Sequence, residues 1–246
     1  MADTVIRLAT DADMAEVERW LKQEDEKEVP GCFYCNWEVI ERGHEQGQVY
    51  VLPDAKTNKP IGFLLNGRFR PDILAVKADR RGEGHGAVLA KFMIDLWRRK
   101  EDACVIEIEC APWTSATFWQ RMGFTLYREH RAYMLLPTQF DVPAGAPEVP
   151  VRITFFPEQV KYGTDIAPLM VATPRAIRMA DGMIRLAERV FLFEDLYPGD
   201  HRDIVVAIDV DGREVYRDKA KYPEASDIGV QRHDHGWVVD EIWFED

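Results

Sequence analysis

The run Arg80-Arg81-Gly82-Glu83-Gly84-His85-Gly86 combines residue types that do chemistry on anions. Three glycines at alternate positions let the backbone approach a ligand closely, and the amides that open a following helix have no acceptor inside it. The apolar stretch Ile73-Leu74-Ala75-Val76 before this run has the length of a buried strand. After it, Val88, Leu89, Phe92, Met93, Leu96 and Trp97 form one face of a helix. Strand, glycine turn and helix start together suit a phosphate or pyrophosphate, because the free amides and the helix dipole both favour negative charge.

Two familiar phosphate motifs fail on spacing. The glycines fall at 82, 84 and 86 rather than in G-x-G-x-x-G, and no Gly-Lys-Ser/Thr follows them. The pattern that fits is R-x-x-G-x-G over Arg81, Gly84 and Gly86, preceded by Leu-x-Val at Leu74 and Val76. Further on, Ser115-Ala116-Thr117-Phe118-Trp119-Gln120-Arg121-Met122-Gly123-Phe124 places a small residue before an aromatic pair and Gly-Phe. On these two motifs the chain resembles the GNAT superfamily of N-acetyltransferases, over about residues 4 to 137.

The resemblance implies acetyl-coenzyme A as cosubstrate, lying in a splay between two central strands. It implies a pyrophosphate on the amides from Arg81 through Gly82, Glu83, Gly84 and His85 to Gly86, with Ser115, Phe118 and Trp119 also at the cofactor. The acetyl carbonyl would lie near the backbone of Leu74, Ala75 and Val76, where an amide acts as oxyanion donor. Acetyl transfer to an amine needs a base, because an amine of pKa near 10 is protonated at neutral pH. The candidates are Asp72, Glu107 and Glu109. Asp72 begins the cofactor strand, and Glu107 and Glu109 share one face of the next. The family commonly protonates the departing thiolate with a tyrosine where this chain has Trp119, whose indole keeps its proton. Tyr127 or Tyr133 stands in, or solvent does, or the chain is not catalytically typical. Pro112 replaces an asparagine often found before the second motif.

These groups need a scaffold, and the periodicity supplies one. Val5 to Leu8 reads as a strand. Thr10 to Asp13 resembles a capping box with aspartate in third place, followed by a helical stripe of Met14, Val17, Trp20 and Leu21. Phe33 to Glu45 reads as a second helix, and Gln48–Leu52 and Ile61–Leu65 as strands. Cys104–Cys110 is the strand after the central helix, Ser115–Met122 a short helix, and Leu126–Leu136 a final strand. The order matches an α/β (α+β) GNAT fold with a central mixed, mostly antiparallel sheet over residues 1–138.

Pro137, Pro143, Pro147 and Pro150 mark a boundary, with residues 139–150 as a linker. Residues 151–246 then read as a smaller, mostly β domain. Its clearest signal is Asp211-Gly212 between Ile204–Val210 and Arg213–Tyr216, a hairpin. Strands are expected at Val151–Phe156, Met183–Leu186, Arg189–Phe193 and Gly236–Phe244, with a helix over Ala176–Ala187 as the alternative to extended chain there.

Composition bounds the function. Net charge is −12, with 19 basic and 22 acidic side chains in residues 1–140 against 12 and 21 beyond. Nucleic acid is therefore not an expected partner, and an acceptor reading on aminoacyl-tRNA is disfavoured, whereas a cationic amine suits the charge. No apolar run approaches a membrane span and no signal region opens the chain, so a soluble cytoplasmic protein with reduced thiols is expected. Cys32 and Cys35 have C-x-x-C spacing without a second close pair and read as structural thiols; His233-Asp234-His235 reads as a polar turn, and no metal is expected. The sequence thus supports an N-acetyltransferase acting on a primary amine, small or peptidic, with a possible homodimer. The alternative is a non-catalytic acetyl-coenzyme A sensor whose second domain recruits a protein.

Overall fold

The computed structural model describes residues 5–67, 71–100, 103–138, 140, 143, 147–158, 166–197, 203–233 and 235–243. The chain divides between Met134 and Leu135 into two compact units.

The first unit runs β1 (Arg7–Leu8), α1 (Asp11–Asp25), α2 (Trp37–Glu45), β2 (Val49–Pro53), β3 (Pro60–Asn66), β4 (Pro71–Val76), α3 (His85–Arg98), β5 (Val105–Glu109), α4 (Ala116–Arg121), β6 (Thr125–Arg128) and β7 (Arg131–Leu135). β1 to β4 form one antiparallel sheet in chain order, and β5, β7 and β6 form another. This is the element order expected from the sequence, with one difference. The stretch read as a single strand, Leu126–Leu136, is a hairpin, because His130 takes φ 64° and turns the chain without a glycine. Such a conformation is uncommon for a non-glycine residue, so the turn carries no ordinary sequence signal.

The helices cover the first sheet because their apolar stripes match its faces. Met14, Val17, Trp20 and Leu21 of α1 share a buried cluster with Val49, Val51, Phe63 and Leu65. Leu89, Ala90, Met93 and Trp97 of α3 are buried as well. A Cβ on Gly62 would come within 2.9 Å of both the Ala75 carbonyl oxygen and Leu89 Cδ1, so glycine lets α3 approach β3 and β4 this closely.

Thr10 and Asp13 close the expected capping box at the start of α1. The Asp13 carboxylate also accepts two hydrogen bonds from the Arg7 guanidinium, at 2.5 and 3.0 Å. Burial pushes this carboxyl up, but the bonds from Arg7 and Thr10 outweigh it and bring the pKa down to about 2. A depressed carboxylate stabilises the fold above its unfolded pKa, and that contribution is lost as pH falls through the folded value. Between about pH 4 and 2 the protein should lose roughly 2 kcal/mol through this group. Asp13→Asn should flatten that part of a stability-versus-pH curve; an unchanged curve would remove Asp13 as its source.

The second unit holds two four-stranded antiparallel sheets. One has the order β10 (Ala176–Arg178), β11 (Ile184–Phe193), β15 (Gly236–Ile242), β14 (Val230–His233). The other runs β13 (Arg213–Lys219), β12 (Val205–Val210), β8 (Val151–Phe156), β9 (Met170–Ala172). Residues from both sheets, among them Ile153, Phe155, Ile208, Leu186, Leu192 and Val239, meet in one buried core, which makes the unit a β-sandwich. A short helix, α5 (Pro223–Asp227), buries Ala225 in the same core. The alternative helix over Ala176–Ala187 does not form, since a turn closed by Gly182 at φ 89° pairs β10 with β11. The Asp211-Gly212 hairpin forms as expected, both residues having positive φ. Of the residues read as linker, Glu148 bridges to Ile177 and Val149 donates its amide to the Ala176 carbonyl at 2.9 Å.

Among the described residues no helix is long and apolar enough to cross a membrane.

Candidate functional site

β4 is an edge of its sheet, and β5 lies beside it without a ladder between them. An unpaired strand edge inside a fold is ordinarily covered or satisfied by something. Here the two strands splay around a cleft of about 470 Å³. β4 contributes Asp72, Ile73 and Leu74 to its lining, and β5 contributes Ile108 and Glu109. Phe33, Asn36 and Val39 close one side, while Met93, Ser115, Phe118 and Trp119 close another. The loop after α1 also approaches the loop after β5, since a Cβ on Gly31 would lie 2.8 Å from Pro112 Cδ.

The glycine loop joins β4 to α3. Gly82 and Gly84 take φ 84° and 88°, and a Cβ on either would meet nothing within 4 Å, so the space above the turn is open. Gly84 is the N-cap of α3, and its carbonyl accepts from the Ala87 and Val88 amides. Among the described residues the amides of Gly82, Glu83, Gly84, His85 and Gly86 have no intramolecular acceptor. Gly86 sits where an added Cβ would lie 3.5 Å from the Phe118 ring, which joins the loop to the cleft.

The loop's arginines are already engaged. Arg80 binds Asp54 at 2.8 Å and Glu83 at 3.0 Å. Glu83 also meets His85 at 3.1 Å, and the bond from Arg80 foremost, then that from His85, holds its carboxyl below the usual range. Arg81 donates Nε to the Val76 carbonyl at 2.9 Å and Nη1 to the Pro30 carbonyl at 2.8 Å, while its own amide reaches the Ala78 carbonyl at 3.3 Å. Its Nη2 lies 3.5 Å from Glu24, a buried carboxylate that also accepts the Ala78 amide at 2.7 Å. Arg81 therefore staples the loop to the chain after α1, and what the turn offers an anion is its backbone amides.

Glu24 escaped the sequence reading; nothing local marks it, because its partner lies 54 residues away. Glu24→Ala should destabilise the protein by roughly 2–3 kcal/mol, the worth of a charge-assisted hydrogen bond at a buried site. Glu24→Gln keeps an acceptor for Ala78 and should recover most of the loss in a denaturant titration. Equal losses in the two variants would show that the Ala78 bond is not what Glu24 supplies.

The acids separate. Glu107 is half-buried, accepting Tyr127 Oη at 2.5 Å and Arg131 Nη1 at 2.7 Å, and neither Glu107 nor Tyr127 lines the cleft. Glu109 and Asp72 do line it, and both are exposed. Trp119 is buried, with its ring edge-on to Phe118 and Phe124 at centroid distances of 5.0 and 5.2 Å. Leu74, Ala75 and Val76 pair with Leu64, Phe63 and Gly62 across the β3–β4 ladder. Tyr133 stacks edge-on against Tyr127 at 5.7 Å. Ser115 Oγ is buried without a hydrogen-bond partner beside the cleft.

The remaining constellations are not brought into the site. Cys32 donates its thiol to the Leu21 carbonyl and Cys35 to Asn36, and burial pushes the Cys32 pKa up. The four cysteines form no disulfide among the described residues, and no metal-binding cluster occurs among them. The His233 and His235 rings lie 5.9 Å apart against Phe191 and Phe193; Asp234 falls outside the described residues.

No family model matches the chain, and no curated protein matches it. Solved structures align with about half of it. Ard1 from Thermoplasma volcanium is 16% identical, covering 54% of this chain and 97% of its own, with a TM-score of 0.43. An acetyltransferase of the GNAT family from Staphylococcus aureus Mu50 is 12% identical, covering 54% and 98%, with a TM-score of 0.41. The GNAT family N-acetyltransferase YhbS from Escherichia coli, solved in complex with CoA, is 15% identical, covering 53% and 80%, with a TM-score of 0.41.

Proposed function

We propose that the first unit is an acyltransferase that moves the acetyl group of acetyl-coenzyme A to a primary amine. The observation that carries this reading is the run of five amides without acceptors, Gly82 to Gly86, opening beside an apolar cleft at an unpaired strand edge. Amides of this kind at a helix start fit a pyrophosphate, and the cleft fits a thioester and a small acceptor. The orphaned Ser115 hydroxyl supports a polar ligand there.

Bound, the cosubstrate would supply an acetyl thioester. The chain's own groups then divide the work. The amides from Gly82 to Gly86 hold the anionic end, and the β4 backbone at Leu74–Val76 offers donors to a carbonyl oxygen. Phe33, Phe118 and Trp119 exclude water. Glu109, in the cleft and without a side-chain hydrogen bond among the described residues, takes a proton from the acceptor's ammonium so that the neutral nitrogen can attack. Tyr127, engaged by Glu107, is not poised to return a proton to the thiolate, so water does so.

A reading without turnover, as a coenzyme sensor, draws on Trp119, which cannot donate a proton by ionising. Calorimetric titration with coenzyme A tests the cofactor site, and thiol release from acetyl-coenzyme A in the presence of amines then separates enzyme from sensor. No saturable binding would sink both.

A further inference from the structure

The guanidinium of Arg81 sits where three parts of the first unit meet. Its Nε donates to the carbonyl of Val76, the last residue of β4, and its Nη1 to the carbonyl of Pro30, 51 residues back in the chain. Its Nη2 lies 3.5 Å from Glu24 in the last turn of α1, whose carboxylate also takes the Ala78 amide at 2.7 Å. A planar fork with fixed donor directions can hold such a junction, whereas the single ammonium of a lysine cannot reach all three partners.

Pro30 leads into a wall of the cleft. The Val29 amide donates to the Glu24 carbonyl at 2.9 Å, the Cys32 amide to the Val29 carbonyl at 3.1 Å and the Asn36 amide to the Phe33 carbonyl at 2.9 Å. Gly31 abuts Pro112, and Ala111 and Ser115 on either side of that proline line the cleft, as do Phe33 and Asn36. A ligand held by the glycine turn enters on the Gly86–Phe118 side, which leaves the side of Phe33 and Asn36 to the amine. The turn's own backbone is unfinished. The amides from Gly82 to Gly86 have no acceptor among the described residues, and Gly82 and Gly84 have open space above them. An anion there removes freedom that the glycines otherwise keep.

We propose that Arg81 is a positioning residue that ties occupancy of the glycine turn to the order of the acceptor wall; this rests on the acetyl-transfer reading above. Coenzyme A bonded to the amides of Gly82 to Gly86 fixes the turn. The fixed turn holds the Arg81 fork, and the fork holds Pro30 and with it the segment to Asn36. The ordering cost met by one ligand is spared the other, so the two sites bind cooperatively without a change of shape. The coupling is reciprocal: an amine against Phe33 and Asn36 tightens coenzyme A by the factor by which coenzyme A tightens the amine.

Amide hydrogen exchange of the full chain, with and without saturating coenzyme A, tests this. The Val29 and Cys32 amides are hydrogen-bonded and neither residue lines the cleft, so slowing there reports transmission rather than cover. Coenzyme A should slow both by about five-fold or more in the parent protein. Arg81→Met and Arg81→Lys should each bind coenzyme A within about five-fold of the parent, because backbone amides do the binding, yet lose the slowing. A merely structural role would speed exchange equally with and without ligand and leave the ligand's increment intact. Unchanged exchange in a parent that binds coenzyme A in calorimetry would overturn the proposal, the cofactor reading then surviving. So would slowing that persists in Arg81→Met. An affinity about a hundred-fold lower in Arg81→Met but restored in Arg81→Lys would do the same, since it marks a counter-charge to phosphate. If Arg81→Met does not fold, Arg81→Lys and the parent's own response decide. Failure of the parent to bind coenzyme A removes the cofactor reading and this one together.

Discussion

Gly84→Trp is expected to abolish saturable binding of coenzyme A while leaving a folded protein. Gly84 holds φ 88°, a left-handed conformation that costs an L-residue roughly 1–2 kcal/mol. That cost is local and tolerable for a domain of this size. The indole, however, would occupy the open space over Gly82 and Gly84 and block the amides beneath it. Losing two hydrogen bonds to a charged group, each worth roughly 1.5–3 kcal/mol, exceeds a hundred-fold in affinity. The control is Gly86→Ala, whose Cβ would make an ordinary 3.5 Å contact with Phe118. It should bind within a few-fold of the parent. Tight binding by a folded Gly84→Trp protein would move the ligand site away from the loop.

The second large effect is expected at Glu109. Glu109→Gln should lower kcat by about 10²–10⁴-fold, the usual contribution of a positioned base, with little change in coenzyme A affinity. Its comparison is Glu107→Gln, two residues along the same strand. Glu107 is fixed by Tyr127 and Arg131 and does not line the cleft. Its loss should be felt in the stability of the β5–β7–β6 sheet and change kcat less than about ten-fold. A larger kcat loss at Glu107 than at Glu109 would reverse the assignment and make the Tyr127–Glu107–Arg131 set the proton-handling group.

That pair shows where sequence reasoning stops. Alternation places Glu107 and Glu109 on one face and makes both candidate bases. Only tertiary contacts, from side chains 20 and 24 positions onward, occupy one and leave the other. Arg81 behaves the same way. Its place in a glycine motif suggests a phosphate ligand, whereas its guanidinium binds carbonyls at Val76 and Pro30, the latter 51 residues back. What depends on neighbours in sequence was legible: the Thr10–Asp13 cap, the Asp211-Gly212 hairpin, and the strand–glycine turn–helix unit. The turn at His130 was not, because a histidine there announces nothing. The sandwich partnering of the second unit depends on pairings such as β8 with β12, 49 to 59 residues apart in sequence, which no local pattern encodes.

The splay between β4 and β5 has a mechanical consequence. Two sheets with no ladder between them among the described residues can change their separation more readily than strands joined by one, so the first unit has a seam along its middle. An extended ligand that bonded to the β4 edge would behave as a removable strand, stitching the seam closed while it stayed. Occupancy would then register as stiffness: slower amide exchange along both strands, and release of the ligand would restore the compliance of the seam.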